Sequence, residues 1–195
     1  MARTNPEARL RLVTTAADML RRRGLNATSI RELAKAANAP LGSTYHYFPG
    51  GKQQVVSEAL QYAGDKVTGM LGKALEQGPR EGLNTFLGYW RGVIKSTDFR
   101  AGCPVIAVAM EDAADEEAKA AQAVAATIFE RWEALLKQSL MDHGVAELQA
   151  EELATMIVAS AEGALALCRA KKDIQPFDQV SAVLNRMVNA GIGDA

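Results

Sequence analysis

Apolar residues recur along this chain at helical rather than strand spacing, and the breaks between periodic segments fall at glycine, proline and asparagine. Leu10, Val13, Ala17 and Leu20 form the stripe of a first helix. Thr4 is placed to cap it, Pro6 and Glu7 suit its first turn, Arg21-Arg22-Arg23 suit its last, and Gly24 stops it. Thr28 is placed to cap a short second helix, with Arg31 where a capping box carries Glu, and an apolar face of Ile30, Leu33, Ala34 and Ala37. Asn38 enters the left-handed conformation readily and ends that helix. Pro40 opens a third, from Leu41 to about Tyr47, and Pro49-Gly50-Gly51 breaks it.

Longer helices follow Lys52. The pattern predicts a fourth over about residues 53–76, a fifth over 80–97, a sixth over 103–113, a seventh from 114–115 to 141, an eighth over 150–171 and a ninth over 176–190. The expected fold is therefore all-α, with about nine helices. A second helix of about eight residues, a tight turn and a third of similar length make a helix-turn-helix. The expected domains are this N-terminal element, residues 5–52, and a larger helical domain, 53–195.

Composition supports helices: aromatics are 6% of the chain, prolines number six, and apolar and charged residues stand at 48% and 23%, as in ordinary globular domains. No unbroken apolar run approaches the roughly eighteen residues of a membrane span, and the N-terminus has no apolar signal core. The expectation is a cytoplasmic protein with no membrane partner. Cys103 and Cys168 are too few and too far apart for a disulfide framework or zinc site and are expected to pack reduced in helices.

Net charge is −1, but its distribution is uneven. Residues 1–52 hold nine basic side chains and three acids, a net +6, and the remainder is −7. A basic head on an acidic body suits a nucleic-acid-reading domain joined to one that does not bind it. Candidate chemistry is otherwise sparse. There is no His-Glu-x-x-His, nucleophile elbow or phosphate-cradling glycine loop, and His46 has no second ligand at metal spacing, so neither an enzyme nor a metal or other cofactor is expected. The acidic run Glu111 to Glu117 reads as a solvated turn and helix start.

Residues 28–52, TSIRELAKAANAPLGSTYHYFPGGK, resemble the DNA-binding signature of the tetracycline-repressor (TetR) family. The resemblance lies in Ile30-x-x-Leu33-Ala34-x-x-Ala37, a turn, Gly42-Ser43, Tyr45-His46-Tyr47-Phe48 and the lysine that follows. Gly50-Gly51 before Lys52, and Gly102-Cys103-Pro104-Val105 before an apolar helix, are similar to the LmrA/YxaF branch. Asn38 stands where the family usually has Gly, Thr44 where it has Leu or Ile, and Leu41 where it often has a polar residue. The resemblance implies a repressor that binds a palindromic double-stranded operator as a homodimer. It places Gly42, Ser43 and Tyr45 along a major groove, His46 and Tyr47 on sugar-phosphate or thymine methyls, and Lys52, Thr28 and Ser29 on phosphates. On pattern alone, helix packing is the alternative reading of the aromatic cluster.

The middle helices supply wide side chains, Phe86, Tyr89, Trp90, Met110, Phe129 and Trp132, which with Met156 and Cys168 are expected to line a pocket for a small, largely apolar effector. Arg91 and Glu111 are candidate polar anchors. Ordinary core packing is the alternative for each. In the last two helices, Gly163 allows close helix approach, and Phe177, Val180, Leu184 and Met187 share a side. The resemblance implies that they pair with a second copy; periodicity alone leaves an intrachain core open. A helical enzyme or carrier with an incidental basic head, and a module binding an acidic protein, remain as readings from other classes.

Overall fold

The structure, a computed structural model, describes residues 5–193. Nine helices and no strand occur among the described residues: α1 (Pro6–Arg23), α2 (Ile30–Ala36), α3 (Leu41–Tyr47), α4 (Gly51–Leu75), α5 (Pro79–Ser96), α6 (Pro104–Ala109), α7 (Glu116–Asp142), α8 (Glu147–Lys171) and α9 (Gln175–Ile192). The all-α expectation stands. The chain forms two compact units that do not follow one cut at residue 52. One takes Met1–Asp65 and Pro104–Ala126, the other Lys66–Cys103 and Thr127–Ala195, so α4 and α7 each contribute to both.

In the first unit, α1 begins at Asn5, whose side-chain oxygen accepts from Glu7 N–H at 3.0 Å and Ala8 N–H at 3.3 Å. The expected cap, Thr4, lies outside the described residues. Leu12, Val13, Ala16, Ala17, Met19 and Leu20 face inward, while Leu10, expected in that stripe, is 53% exposed. Gly24, at φ 78°, stops the helix, and its N–H donates to the Leu20 carbonyl at 2.9 Å.

Ser29, not Thr28, caps α2. Ser29 is extended and its hydroxyl accepts from Glu32 N–H at 3.2 Å, whereas Thr28 turns inward and donates to the Gly24 carbonyl at 2.9 Å. The one-residue shift puts Glu32 at the third helical position, the Ser-x-x-Glu sequence of a capping box. Asn38 ends α2 at φ 50°. Its N–H donates to the Lys35 carbonyl and that of Ala39 to the Ala34 carbonyl, the two bonds of a Schellman stop. The apolar side of α6, Val105 and Val108, is buried against α1.

The sixth helix ends at Ala109, four residues short of expectation. Met110 and Glu111 therefore fall in the connection to α7. There the Glu111 carboxylate accepts from the Leu25 N–H at 2.9 Å and from the Asn26 amide, and Gln122 Nε2 donates to the Glu111 carbonyl at 2.7 Å. Asp115 caps α7 through Ala118 N–H at 2.8 Å, consistent with a turn and helix start for the acidic run.

In the second unit, α5, α8 and α9 pack on one another. A Cβ on Gly82 would overlap the Leu75 side chain, so α4 and α5 meet closely there. Arg91 and Asp178 form a two-bond ion pair between α5 and α9 at 2.7 and 3.1 Å. The Arg91 bond holds the Asp178 carboxyl below its usual range. By length and composition α8 is apolar enough to cross a membrane, which no unbroken run in the sequence suggested; half of that window is buried inside the fold, as in a core helix.

Candidate nucleic-acid interface

Pro40 sets the backbone extended ahead of α3, and its carbonyl accepts from both the N–H (3.1 Å) and the hydroxyl (3.2 Å) of Thr44. That local bond explains how a threonine is tolerated completely buried under α3. Phe48, also fully buried, closes the helix, with the Arg9 guanidinium 5.3 Å from its ring centroid. Arg9 pairs with Glu58 at 2.5 Å, Glu58 accepts from Gln54, and Gln54 in turn accepts the Gly50 N–H at 2.9 Å. This chain of bonds ties α1 to the turn that starts α4. Gly51 sits at φ 66°, where a residue with a Cβ is strained.

With Thr44 and Phe48 inward, the opposite face of α3 is open. Leu41, Gly42, Ser43, Tyr45 and His46 are exposed, Tyr45 by 52%. Tyr47 is half-buried and its hydroxyl accepts the Asn5 N–H at 3.2 Å, which links α3 to the start of α1 and leaves the phenolic proton for another acceptor. Ser29 is exposed and Lys52 half-exposed in the first turn of α4. Thr28 is 2% exposed with its hydroxyl already donated, so it supports the turn rather than presenting a donor at the surface. A Cβ at Gly42 would meet nothing within 4 Å. The protein's own packing therefore does not require glycine there, and the open space lies outside the chain.

Of the basic side chains in this unit, Arg21 and Arg22 both bond Asp18, at 2.5–2.8 Å. Burial pushes the Asp18 carboxyl up, but these two partners outweigh it and hold it below its usual range.

The expected pocket residues separate. Phe86, Trp90 and Trp132 are buried together in the second unit, with Tyr89 and Phe129 at their edges and centroids 4.9–6.3 Å apart in tilted or edge-on pairs. Cys168 is fully buried in the same unit. Met110 belongs to the first unit and is 78% exposed, because α6 stops before it. Met156 is 46% exposed on the outward side of α8. Met156 makes no part of the aromatic cluster. Arg91 and Glu111, the expected polar anchors, are occupied by Asp178 and by the turn after α1.

The group that pattern reading missed is Glu162. It is buried in the middle of α8, and neither carboxyl oxygen finds a strong hydrogen-bond partner. Burial pushes its carboxyl up to about 8, with the facing Cys103 thiol pulling weakly the other way. A lone acid within the apolar face of the eighth helix was the available signal.

The expected dimer residues also divide. Phe177 and Leu184 are core residues of the chain itself, 0% and 2% exposed, and are closed to a partner. Val180 and Met187 are half-exposed, and Gly163 is exposed with nothing within 4 Å of an added Cβ. They lie with exposed Met156, Leu167 and Val183 on outward sides of α8 and α9.

Two family models match this architecture: bacterial regulatory proteins of the tetR family over residues 12–59, and the C-terminal domain of LmrA/YxaF-like transcriptional regulators over residues 79–183. The chain belongs to the TetR family, in its LmrA/YxaF-like branch. It is 40% identical over 186 residues to the HTH-type transcriptional regulator Rv0196 of Mycobacterium tuberculosis, covering 93% of this chain and 94% of that one. Identity to YxaF of Bacillus subtilis is 31%, covering 88% and 90%. A TetR transcriptional regulator from Legionella pneumophila has the same fold, with a TM-score of 0.83 at 21% identity, covering 97% of this chain and 100% of that structure. The TetR-family chain is thus a helix-turn-helix transcriptional regulator, of a family that binds DNA and typically dimerises.

Proposed function

We infer that this regulator is a cytoplasmic, non-catalytic repressor that binds a palindromic operator as a homodimer and is released by a small, largely apolar effector. The observation that carries the DNA half is the outward face of α3, above all the open space at Gly42. A B-DNA major groove is roughly 12 Å wide, and a short helix whose first turn lacks side-chain bulk can bring its backbone close to base edges. Gly42, Ser43 and Tyr45 run along the groove. His46 and the free proton of Tyr47 meet the sugar-phosphate. Ser29 and Lys52 hold phosphates on either side, and Thr28 keeps the turn before α2 in shape.

The outward sides of α8 and α9, with Gly163, Val180 and Met187, pair with a second copy. Two-fold pairing sets the recognition helices about 34–36 Å apart, one DNA turn. The effector occupies the second unit beside Phe86, Tyr89, Trp90, Phe129 and Trp132, near Cys168. It acts by stabilising a conformation with other helix spacing; nearly complete release needs roughly a 10⁴-fold preference for that conformation.

The test is DNA binding by Tyr45→Ala and Lys52→Ala, followed by fluorescence anisotropy over a salt series. Lys52→Ala should weaken binding on all sequences and lower the salt slope by about 0.9. Tyr45→Ala should weaken binding with the slope nearly unchanged. Wild-type affinity in both variants would overturn the assignment of this face.

A further inference from the structure

Two polar groups in the second unit are left without the partners their burial demands. Both oxygens of Glu162 are shielded from solvent and unbonded apart from the weak Cys103 thiol contact, and the indole N–H of Trp90, on α5, is buried and unbonded. The comparison within the same cluster is direct: the Trp132 indole donates to Thr68 Oγ1 at 3.1 Å. Buried carboxyls without donors are rare because nothing offsets their desolvation, and a leucine at position 162 would fill the same side of α8 without that cost. The helices carrying these groups, α5 and α8, pack on each other.

The missing partner can be specified. A protonated acid is half donor and half acceptor, whereas two empty acceptor oxygens are matched by two parallel N–H groups, and only an ionised carboxylate accepts both. A ligand that brings its own positive charge allows the acid to ionise as the pair forms. The same unit holds the packed ring cluster of Phe86, Trp90 and Trp132, and aromatic rings attract a cation to their faces.

We propose that Glu162 anchors the effector and selects a small planar aromatic bearing a cationic, doubly N–H-donating nitrogen group, an amidinium or its like. This rests on the reading that the second unit takes an effector. On binding, the ligand N–H groups donate to the two Glu162 oxygens and the carboxyl proton passes to solvent.

The test uses three nearly isosteric probes on the full-length protein without DNA: benzamidinium, benzamide and benzoate. Binding is followed by titration calorimetry in buffers of differing ionisation enthalpy. Benzamidinium should bind at least about 10-fold tighter than benzamide, the margin of a charge-assisted over a neutral pair, and benzoate weakest. Its apparent heat should vary with buffer as a proton is released. In Glu162→Gln, benzamidinium should fall to the level of benzamide, with helical circular dichroism retained.

Equal binding of benzamide or benzoate, a preference that survives Glu162→Gln, or no binding of any probe at millimolar concentration would each overturn the proposal. Should Glu162→Gln not fold, the charge series and buffer dependence on wild-type protein decide it. Operator selection by ligand-free wild-type protein is a separate measurement, so failure of the regulatory reading and failure of this one are distinguishable.

Discussion

Gly42→Ala separates what the fold needs from what DNA needs. Gly42 sits in the first turn of α3 in ordinary helical backbone, and an added methyl would meet nothing within 4 Å. Alanine is preferred over glycine inside helices by about 0.8–1.0 kcal/mol; in a first turn about half of that is a fair expectation. The variant should therefore be more stable by about 0.5 kcal/mol, raising Tm by roughly 1–2 °C for a chain of this size. Binding should move the opposite way. A methyl in the space against the groove disrupts a contact on the scale of one mismatched base pair, about 1–3 kcal/mol, or about 5- to 150-fold in Kd. Thermal denaturation followed by circular dichroism reads the first quantity and anisotropy on a selected operator the second. Gly51→Ala is the control: that site is equally open but lies at φ 66°, so alanine should lower Tm. Undiminished DNA affinity in Gly42→Ala would mean that the groove makes no close contact at this position.

Four further substitutions have expected outcomes. Ser29→Ala removes the hydroxyl that caps α2 and should cost about 1 kcal/mol in a urea melt; an unchanged midpoint would return the cap to Thr28. Glu162 keeps its proton in the fold up to about 8, while an unfolded glutamate ionises near 4.5. Between those values the folded state holds more protons, so its contribution falls as pH rises, by up to about 1.4 kcal/mol per unit. Glu162→Gln should lack that decline in melts from pH 5 to 8; parallel curves would contradict the burial of an unpaired acid. Gly163→Arg places bulk and charge where the chain itself leaves room and should yield monomers by light scattering with helicity intact. Leu184→Ala, at a buried position, should cost about 2–5 kcal/mol of stability instead.

Most of the helix order was legible because the 3.6-residue period and its stops are local signals. The helix-turn-helix register slipped by one residue because Thr28 and Ser29 are both competent caps. What decides between them is the inward turn of Thr28 toward the Gly24 carbonyl, which no spacing reveals. Periodicity identified the apolar sides of α8 and α9 but not what covers them: Phe177 and Leu184 are covered by the chain itself, Gly163 is not. Met110 falls outside α6 because the helix ends at Ala109 while the apolar run extends past it. Glu111 was beyond reach for another reason, since its partner Leu25 is 86 positions away and nothing in either local sequence announces the bond. The exposed residues of α3 were the most legible part, because alternating buried and open positions in one short helix follow from Thr44 and Phe48 alone.

Whether the outward face of α3 reads operator DNA in a two-fold assembly is decided by selecting bound sequences from a random duplex library with purified protein. Enrichment of an inverted repeat whose half-sites are centred about 10 base pairs or a multiple apart is expected. Enrichment of no sequence, or of a site without two-fold symmetry, would contradict it.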